Sequence, residues 1–265
     1  MRVSIVTPSF NQGPFIEKTI RSVLSQRGDF ELEYLVVDGG STDETLSILR
    51  RYQVGLRFVS ERDAGQSDAI NKGFRMTSGE VVAWLNSDDT YQPGALDAVV
   101  RTLSDTSARW CFGECRIIDE QDREVRRAIS LYKRWVSRRY SRRRLVGRNF
   151  ISQPATFFTR GLIDEAGPID PSFHLAMDYD LWLRFARIAE PAFVPRALAN
   201  FRWHGRSKSG SRYRAMAWEC FGIARKQARR GEGIAVAEHF LHLAAELLVY
   251  RLFDLKAAVL PRTTR

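Results

Sequence analysis

Four short apolar runs punctuate the first ninety residues, and each stops at a polar cluster. Val3-Ser4-Ile5-Val6-Thr7-Pro8, Leu35-Val36-Val37-Asp38, Leu56-Arg57-Phe58-Val59-Ser60 and Val81-Val82-Ala83-Trp84-Leu85 have the length and β-branched content of buried strands. Helical spacing fills the gaps. Ile16, Ile20, Val23 and Leu24 share one face over about 14–26, a second helix runs to about Tyr52, and a third covers about 67–77. Ser41, Thr42 or Asp43 supplies the oxygen that caps the second helix. Strand and helix alternating in this way predict a mainly parallel α/β sheet with helices on both faces.

Beyond about residue 107 the pattern changes. Trp110–Ile118 reads as a strand, 123–148 as a basic stretch, and Ile151–Thr159 as a further strand-like piece. A helix begins near Ala176, a last strand spans Phe193–Phe201, and the tail from about Arg212 to Leu260 is helical, rich in Ala and Leu. The expected division is a first half over 1–107, a second over 108–211, and a helical C-terminal extension over 212–265. His239 and His242, on that extension, have no acidic or cysteine company and read as ordinary helix residues.

Charge sharpens the division. The net charge of +10 is uneven: residues 1–107 carry 11 basic and 15 acidic side chains, residues 108–265 carry 30 and 16. Much of the excess lies in 123–148, where arginines alternate with Leu131, Tyr132, Trp135, Val136 and Tyr140. Such a stretch suits an anionic membrane surface or a nucleic acid. Three cysteines without a CxxC pair suit reduced thiols in a cytosol. The first residues run straight into a strand without the apolar core of a leader, and no run of 18 uncharged apolar residues occurs. A cytoplasmic protein, peripheral to the inner membrane face, is the expectation.

The chemistry gathers at the strand ends. Open α/β sheets bind ligands beyond the carboxyl ends of their strands, and here those ends carry Ser9 and Asn11, Asp38, Asp63, then Asp88 and Asp89. Adjacent carboxylates repel unless a cation joins them, and a divalent ion with oxygen ligands is a suitable partner. Neither a GxGxxG nor a P-loop lysine motif follows the first strand, which excludes those nucleotide-binding fingerprints. Asp178 stands in the first turn of its helix, where the dipole alone favours an anion.

Several motifs together resemble the family 2 glycosyltransferases of GT-A fold. They are Ile5-Val6-Thr7-Pro8-Ser9-Phe10-Asn11, Val36 through Thr45, Glu61-Arg62-Asp63-Ala64-Gly65 through Asn71-Lys72-Gly73, Leu85-Asn86-Ser87-Asp88-Asp89, and Met177 through Arg184, in family order over about residues 3–205. The resemblance implies a nucleoside-diphosphate-sugar donor over the first half of the sheet. Its donor-side positions here are Thr7, Pro8, Ser9, Asn11, Asp38, Gly39, Asp63, Asn71, Lys72, Asn86, Ser87 and Asp88. Asp88 matches the metal-binding acid that holds Mg²⁺ or Mn²⁺ on the donor diphosphate, with Asp89 in support and His204 as a further ligand. Asn86 replaces the first acid of the family's DxD motif. Asp178 matches the catalytic base of a motif usually written Glu-Asp, with Met177 in place of the Glu, and Gln153 falls in a region that faces the acceptor. One base and no enzyme nucleophile imply single displacement with inversion.

The expected acceptor is a glycan or a lipid-linked intermediate of cell-surface polysaccharide synthesis, with 123–148 against the membrane and a second copy of the chain as a further partner. Two other readings compete. A nucleic-acid-binding protein would use 123–148, but Asp38, Asp63, Asp88 and Asp89 would repel phosphates. A sugar-phosphate nucleotidyltransferase would need the basic, glycine-rich phosphate loop that is absent after the first strand.

Overall fold

β1 (Arg2–Ser9) is buried from Val3 to Ser9 because it is covered on both sides and paired on both edges. The structure, a computed structural model, describes residues 1–205 and 212–259. β1 lies between β2 (Glu31–Asp38) and β4 (Val81–Trp84), with β3 (Arg57–Ser60) outside β2, all parallel. The register aligns Ser9 with Asp38 and Asp38 with Ser60, so the polar strand ends form one row. Helices α1 (Gly13–Leu24), α2 (Thr45–Arg51), α3 (Gln66–Arg75) and α4 (Ala95–Asp105) complete this half. Strand parity divides its core: Val3, Ile5 and Val36 pack with Ile16, Ile20 and Val99 on one face, while Val6, Leu35 and Val37 pack with Ile70 and Phe74 on the other. A side chain on Gly73 of α3 would collide with that of Val6.

The sheet continues without a gap. Val82 of β4 pairs antiparallel with Phe158 of β7 (Thr156–Thr159), β7 with β6 (Trp110–Ile118), β6 in parallel with β8 (Ala192–Arg202), and β8 with the short β5 (Thr90–Tyr91). The eight strands run β3-β2-β1-β4-β7-β6-β8-β5, so the expected parallel sheet is parallel in its first half and mixed in its second. The strand expected over 151–159 is shorter, because Gln153–Ala155 forms a 3₁₀ turn.

The basic stretch forms two helices, α5 (Arg127–Ser137) and α6 (Arg142–Gly147), separated by a turn. α7 (Arg160–Ala166) and α8 (Met177–Ile188) follow. The C-terminal extension is also two helices, α9 (Tyr213–Gln227) and α10 (Gly233–Val259); Gly231, at φ +93°, lies in the break between them. Arg142 clamps these pieces together. It donates to Leu183 O and Gln227 O, both at 2.8 Å, and pairs with Glu232 at 3.1 Å.

α8 is seated by aromatic packing. Trp182 stacks on Trp84 of β4 and on Trp110 of β6, with ring centroids 5.5 and 6.0 Å apart. Each such pair adds about 0.5–1.5 kcal/mol beyond the area it buries. Asp178 lies one helical turn before Trp182 and therefore on the same face, so this packing aims it at the strand ends. No helix among the described residues is long and apolar enough to cross a membrane. The three cysteines are buried and form no disulfide.

Candidate active site

The loops after β1 and β2 are laced to each other. Asn11, at φ +51°, accepts the Thr42 N–H through Oδ1 at 2.9 Å, and its own N–H donates to Ser41 Oγ at 2.8 Å. Asp43 takes the Gly13 and Thr45 N–H groups, both at 3.0 Å. Asp38 is fully buried and accepts from Gly40 N–H (3.1 Å), Ser41 N–H (2.9 Å), and the hydroxyls of Ser41 and Ser60. Its carboxylate thus shapes the turn from within. Gly39 is needed where the next loop crosses, since a Cβ there would sit 2.8 Å from Asp63 Oδ2. Asp63 Oδ1 accepts the Gly65 N–H at 2.8 Å.

A cavity of about 1040 Å³ opens over these ends. Pro8, Ser9, Asp63, Asn86, Ser87 and Asp88 line it together with Gln153, Asp178 and His204. Positions from four strand-end loops and from α8, far apart in sequence, therefore meet in one space. Other expected donor residues are committed elsewhere. Thr7 lies inside the sheet, 3.1 Å from the Tyr34 hydroxyl. Asn71 exchanges two hydrogen bonds with the backbone of Ile169, at 2.8 and 2.9 Å, and Lys72 pairs with Glu61.

The two adjacent aspartates have opposite fates. Asp88 is half-open to the cavity, and its Oδ2 lies 3.0 Å from His204 Nε2. Asp89 corrects the expectation of a paired metal ligand. It is fully buried, accepts the Arg202 N–H at 2.8 Å, and takes the Asn86 amide at 3.3 Å. Burial, reinforced by the charge of Asp88, pushes its carboxyl well above the usual range. Thr19 ties the turn down by donating to Ser87 O (2.9 Å) and Asp89 O (2.7 Å).

Arg202, fully buried, went unnoticed in the sequence. Its guanidinium donates to Asp88 O and Asp119 O and pairs with Asp122 at 2.6 Å, so one cation joins the carboxylate turn to the β6 loop. The signal was an arginine ending an apolar strand, two residues before His204. An amide relay crosses the cavity floor: Gln66 donates to Asn86, Asn86 to Gln153, and Gln153 to Trp84 O, at 2.7, 3.1 and 2.7 Å. Asn86, which departs from DxD, is thereby an amide whose oxygen accepts and whose nitrogen donates, a dual role a carboxylate cannot fill.

Across the cavity, Glu219 of α9 holds the chain before α8 by accepting the Leu175 and Ala176 N–H groups, at 2.8 and 2.9 Å. Asp178 follows, accepting the Tyr179 N–H at 2.8 Å. Burial pushes its carboxyl up to about 6, against the pull of that N–H and of the Lys133 charge. Met177, where the family motif has Glu, is buried and accepts the Ser67 hydroxyl on sulfur at 2.8 Å, so it joins α8 to α3. His239 and His242 also line the cavity; His239 Nδ1 lies 2.8 Å from Val146 O.

No cluster of three or more His, Cys, Asp or Glu groups suited to a metal occurs among the described residues. Asp88 and His204 fit a divalent ion as a two-donor set, with oxygens of a phosphate ligand as the remaining partners. Mg²⁺ is commonly held by one or two carboxylates plus substrate phosphates, the part that Asp88 would play here.

Residues 4–166 match the model of glycosyl transferase family 2. The chain belongs to that family. An uncharacterized glycosyltransferase of Mycobacterium tuberculosis is 32% identical over 204 residues, covering 75% of this chain and 74% of the relative. Among solved structures, S. aureus TarS 1–349 in complex with UDP-GlcNAc superposes with a TM-score of 0.68 at 16% identity, covering 91% of this chain and 72% of that one. The Pyrobaculum calidifontis mannosyltransferase PcManGT, in complex with GDP-Man and Mn2+, gives 0.65 at 20% identity, covering 97% and 79%. The fold is therefore GT-A, and the cavity lies at the strand ends of a family 2 glycosyltransferase.

Proposed function

We propose that this chain transfers a sugar from a nucleoside-diphosphate sugar to a hydroxyl of a glycan or lipid-linked acceptor, with inversion at the anomeric carbon. The reading rests on one observation: Asp63, Asp88 and Asp178 share a single cavity, and burial raises the pKa of Asp178 within it. The donor lies over Pro8, Ser9 and Asp63 with its diphosphate toward Asp88. Asp88 and His204 would hold Mg²⁺ or Mn²⁺ beside that diphosphate, where a divalent ion supplies Lewis-acid stabilisation of the leaving group. The Gln66–Asn86–Gln153 relay keeps the floor of the site rigid under the sugar.

Asp178 acts on the acceptor. As the acceptor oxygen attacks the anomeric carbon, the bond from that carbon to the phosphate oxygen breaks and the hydroxyl proton passes to Asp178. A pKa near 6 leaves the base ionised at pH 7 yet more basic than an ordinary aspartate, a compromise suited to general-base work. Asp63 and Asp88 belong to the donor end, so no carboxylate serves as nucleophile, and single displacement inverts the centre.

The same reading puts the work at the cytoplasmic face of a membrane. α5 exposes Leu131 and Trp135, 60% and 58% accessible, beside Arg138 and Arg139. Apolar and cationic side chains mixed on one surface helix suit an anionic bilayer. Nucleic acid is the weaker partner, because Arg123, Arg127, Arg134, Arg142 and Arg143 each already face a carboxylate.

The test is nucleotide release from UDP-, GDP- and dTDP-sugars with Mn²⁺ or Mg²⁺, with the anomeric configuration of the product read by proton NMR. Asp178→Asn should lower turnover by at least about 100-fold, the usual worth of a general base. Near-normal turnover, or retention of configuration, overturns the assignment.

A further inference from the structure

α10 is apolar on two opposite sides. One side packs inward: Ala235, His239 and Leu243 are buried, and His239 Nδ1 lies 2.8 Å from Val146 O of α6. On the other side Ile234, Leu241 and Leu248 are 64, 66 and 59% accessible, with the exposed Ala237 and Ala244 between them. At about 100° per residue these five positions lie across the helix from the buried three. Phe240, also exposed, packs on Phe221 of α9, and Phe221 on the exposed Trp218, so the apolar surface continues onto α9. A helix apolar on both sides is normally covered on both, and a continuous exposed apolar patch marks an interaction site.

The sequence narrows what covers it. Segments 206–211 and 260–265 of this chain read Arg-Ser-Lys-Ser-Gly-Ser and Leu-Pro-Arg-Thr-Thr-Arg, too short and too polar to line a stripe of about four turns. An anionic bilayer suits the stripe poorly. Helices that lie on such a surface use lysine and arginine, whereas residues 233–248 contain neither and carry the acidic Glu238 and Glu246. The spacing instead specifies another helix. Positions 234, 237, 241, 244 and 248 step by three and four, the heptad seam of a left-handed helix pair. Large and small side chains alternate along it: Ile, Ala, Leu, Ala, Leu. Two copies side by side in parallel set large against large and small against small. With one copy reversed, each large residue faces an alanine, and the two surfaces interlock. A stripe complementary to itself under a two-fold rotation is the requirement of an isologous dimer.

We infer that α10 is a self-association seam, through which two copies of this chain pair antiparallel by Ile234, Ala237, Leu241, Ala244 and Leu248. The active-site cavity of each copy stays within its own chain, so the seam is independent of the transferase reading.

The experiment is sedimentation velocity of the whole chain from low to high micromolar concentration. Wild type should pass from monomer to a species of twice the chain mass. Leu241→Glu and Ala244→Glu each bury two unpaired carboxylates in the dimer and should raise its dissociation constant at least about 100-fold. Both positions are exposed in the single chain, so an unchanged circular dichroism spectrum shows that the variants are folded. Val54→Glu, at a fully exposed site in the first half of the chain, should leave the dimer intact. Orientation is read by oxidation of Ile234→Cys, the native thiols being buried. Reversed helices keep the two copies of residue 234 at opposite ends of the seam, beyond the roughly 7 Å between Cα atoms that a disulfide spans. A crosslinked Ile234→Cys dimer therefore overturns the antiparallel order. Dimers that survive both glutamate substitutions overturn the seam. A wild type that stays monomeric at high micromolar concentration overturns the inference as a whole, and the occupant is then a bilayer if Leu241→Glu also abolishes cosedimentation with phosphatidylglycerol vesicles.

Discussion

Asp178→Asn should make the protein more stable while disabling it, and the size of the gain follows from the site. The fold raises the carboxyl from 3.8 to about 6, chiefly by burial. At 1.36 kcal/mol per pKa unit, holding the ionised form at neutral pH costs roughly 3 kcal/mol. The native state binds the proton more tightly than the unfolded chain does, so stability falls as pH rises from 3.8 to 6. The cost is complete above 6 and vanishes below 3.8. Asparagine keeps the oxygen that accepts the Tyr179 N–H but carries no charge. The Lys133 attraction is already contained in that pKa; the asparagine NH₂, which must find acceptors in a buried site, offsets part of the gain and leaves roughly 2 kcal/mol. For a chain of this length that is a rise in Tm of roughly 5 °C. Calorimetric melts of wild type and Asp178→Asn at pH 7.5 and pH 4.5 measure it, since contributions of other groups cancel in the difference. The gain should appear at pH 7.5 and largely disappear at pH 4.5. A pH-independent difference, or a loss of stability at pH 7.5, would refute the claim that a strained, ionised Asp178 is the base.

Gly39→Ala should push Asp63 from its place and weaken nucleotide-sugar affinity about tenfold with the fold intact, as isothermal titration and a normal circular dichroism spectrum would show. Trp182→Ala removes the ring stacked between Trp84 and Trp110, and urea unfolding should report a loss of about 3–5 kcal/mol. Replacing Leu131, Trp135, Arg138 and Arg139 with serine should reduce cosedimentation with phosphatidylglycerol vesicles without altering the melting temperature. Arg142 is left out of that set because it is half-buried among Leu183, Gln227 and Glu232.

The first half of the fold was legible because each of its strands is a local event. Burial on both faces makes Leu35–Val37 and Val81–Leu85 unbroken apolar runs and Val3–Val6 one interrupted only by the buried Ser4, and each ends where chemistry begins. The second half was less so. The break before α10 depends on the single Gly231, and the strand at 151–159 is shortened by a turn that Gln153 anchors to Trp84 O. In the site, the sequence pattern marked which residues gather and missed which way they face. Asp88 and Asp89 are adjacent, so strand-end geometry turns one toward the cavity and the other into the protein, a difference no composition encodes. Asp38, Asn71 and Lys72 sit at expected places but are satisfied by backbone groups, hydroxyls or Glu61. Arg202 and Lys133 were hidden because their partners lie many residues away, and only the assembled sheet and α5 bring them in.

The central claim, that the Asp88 end of the cavity holds a nucleoside-diphosphate sugar with a divalent ion, is tested most directly by thermal melts with UDP-, GDP- and dTDP-sugars, each with and without Mn²⁺. A ligand bound only by the native state raises Tm, by about 2.7 kcal/mol of stabilisation at a hundredfold excess over Kd. The account predicts that one nucleotide class stabilises the protein, that Mn²⁺ is required, that Asp88→Ala abolishes the shift, and that Asp178→Asn retains it. No shift with any nucleotide sugar, or a shift that survives Asp88→Ala unchanged, would contradict it.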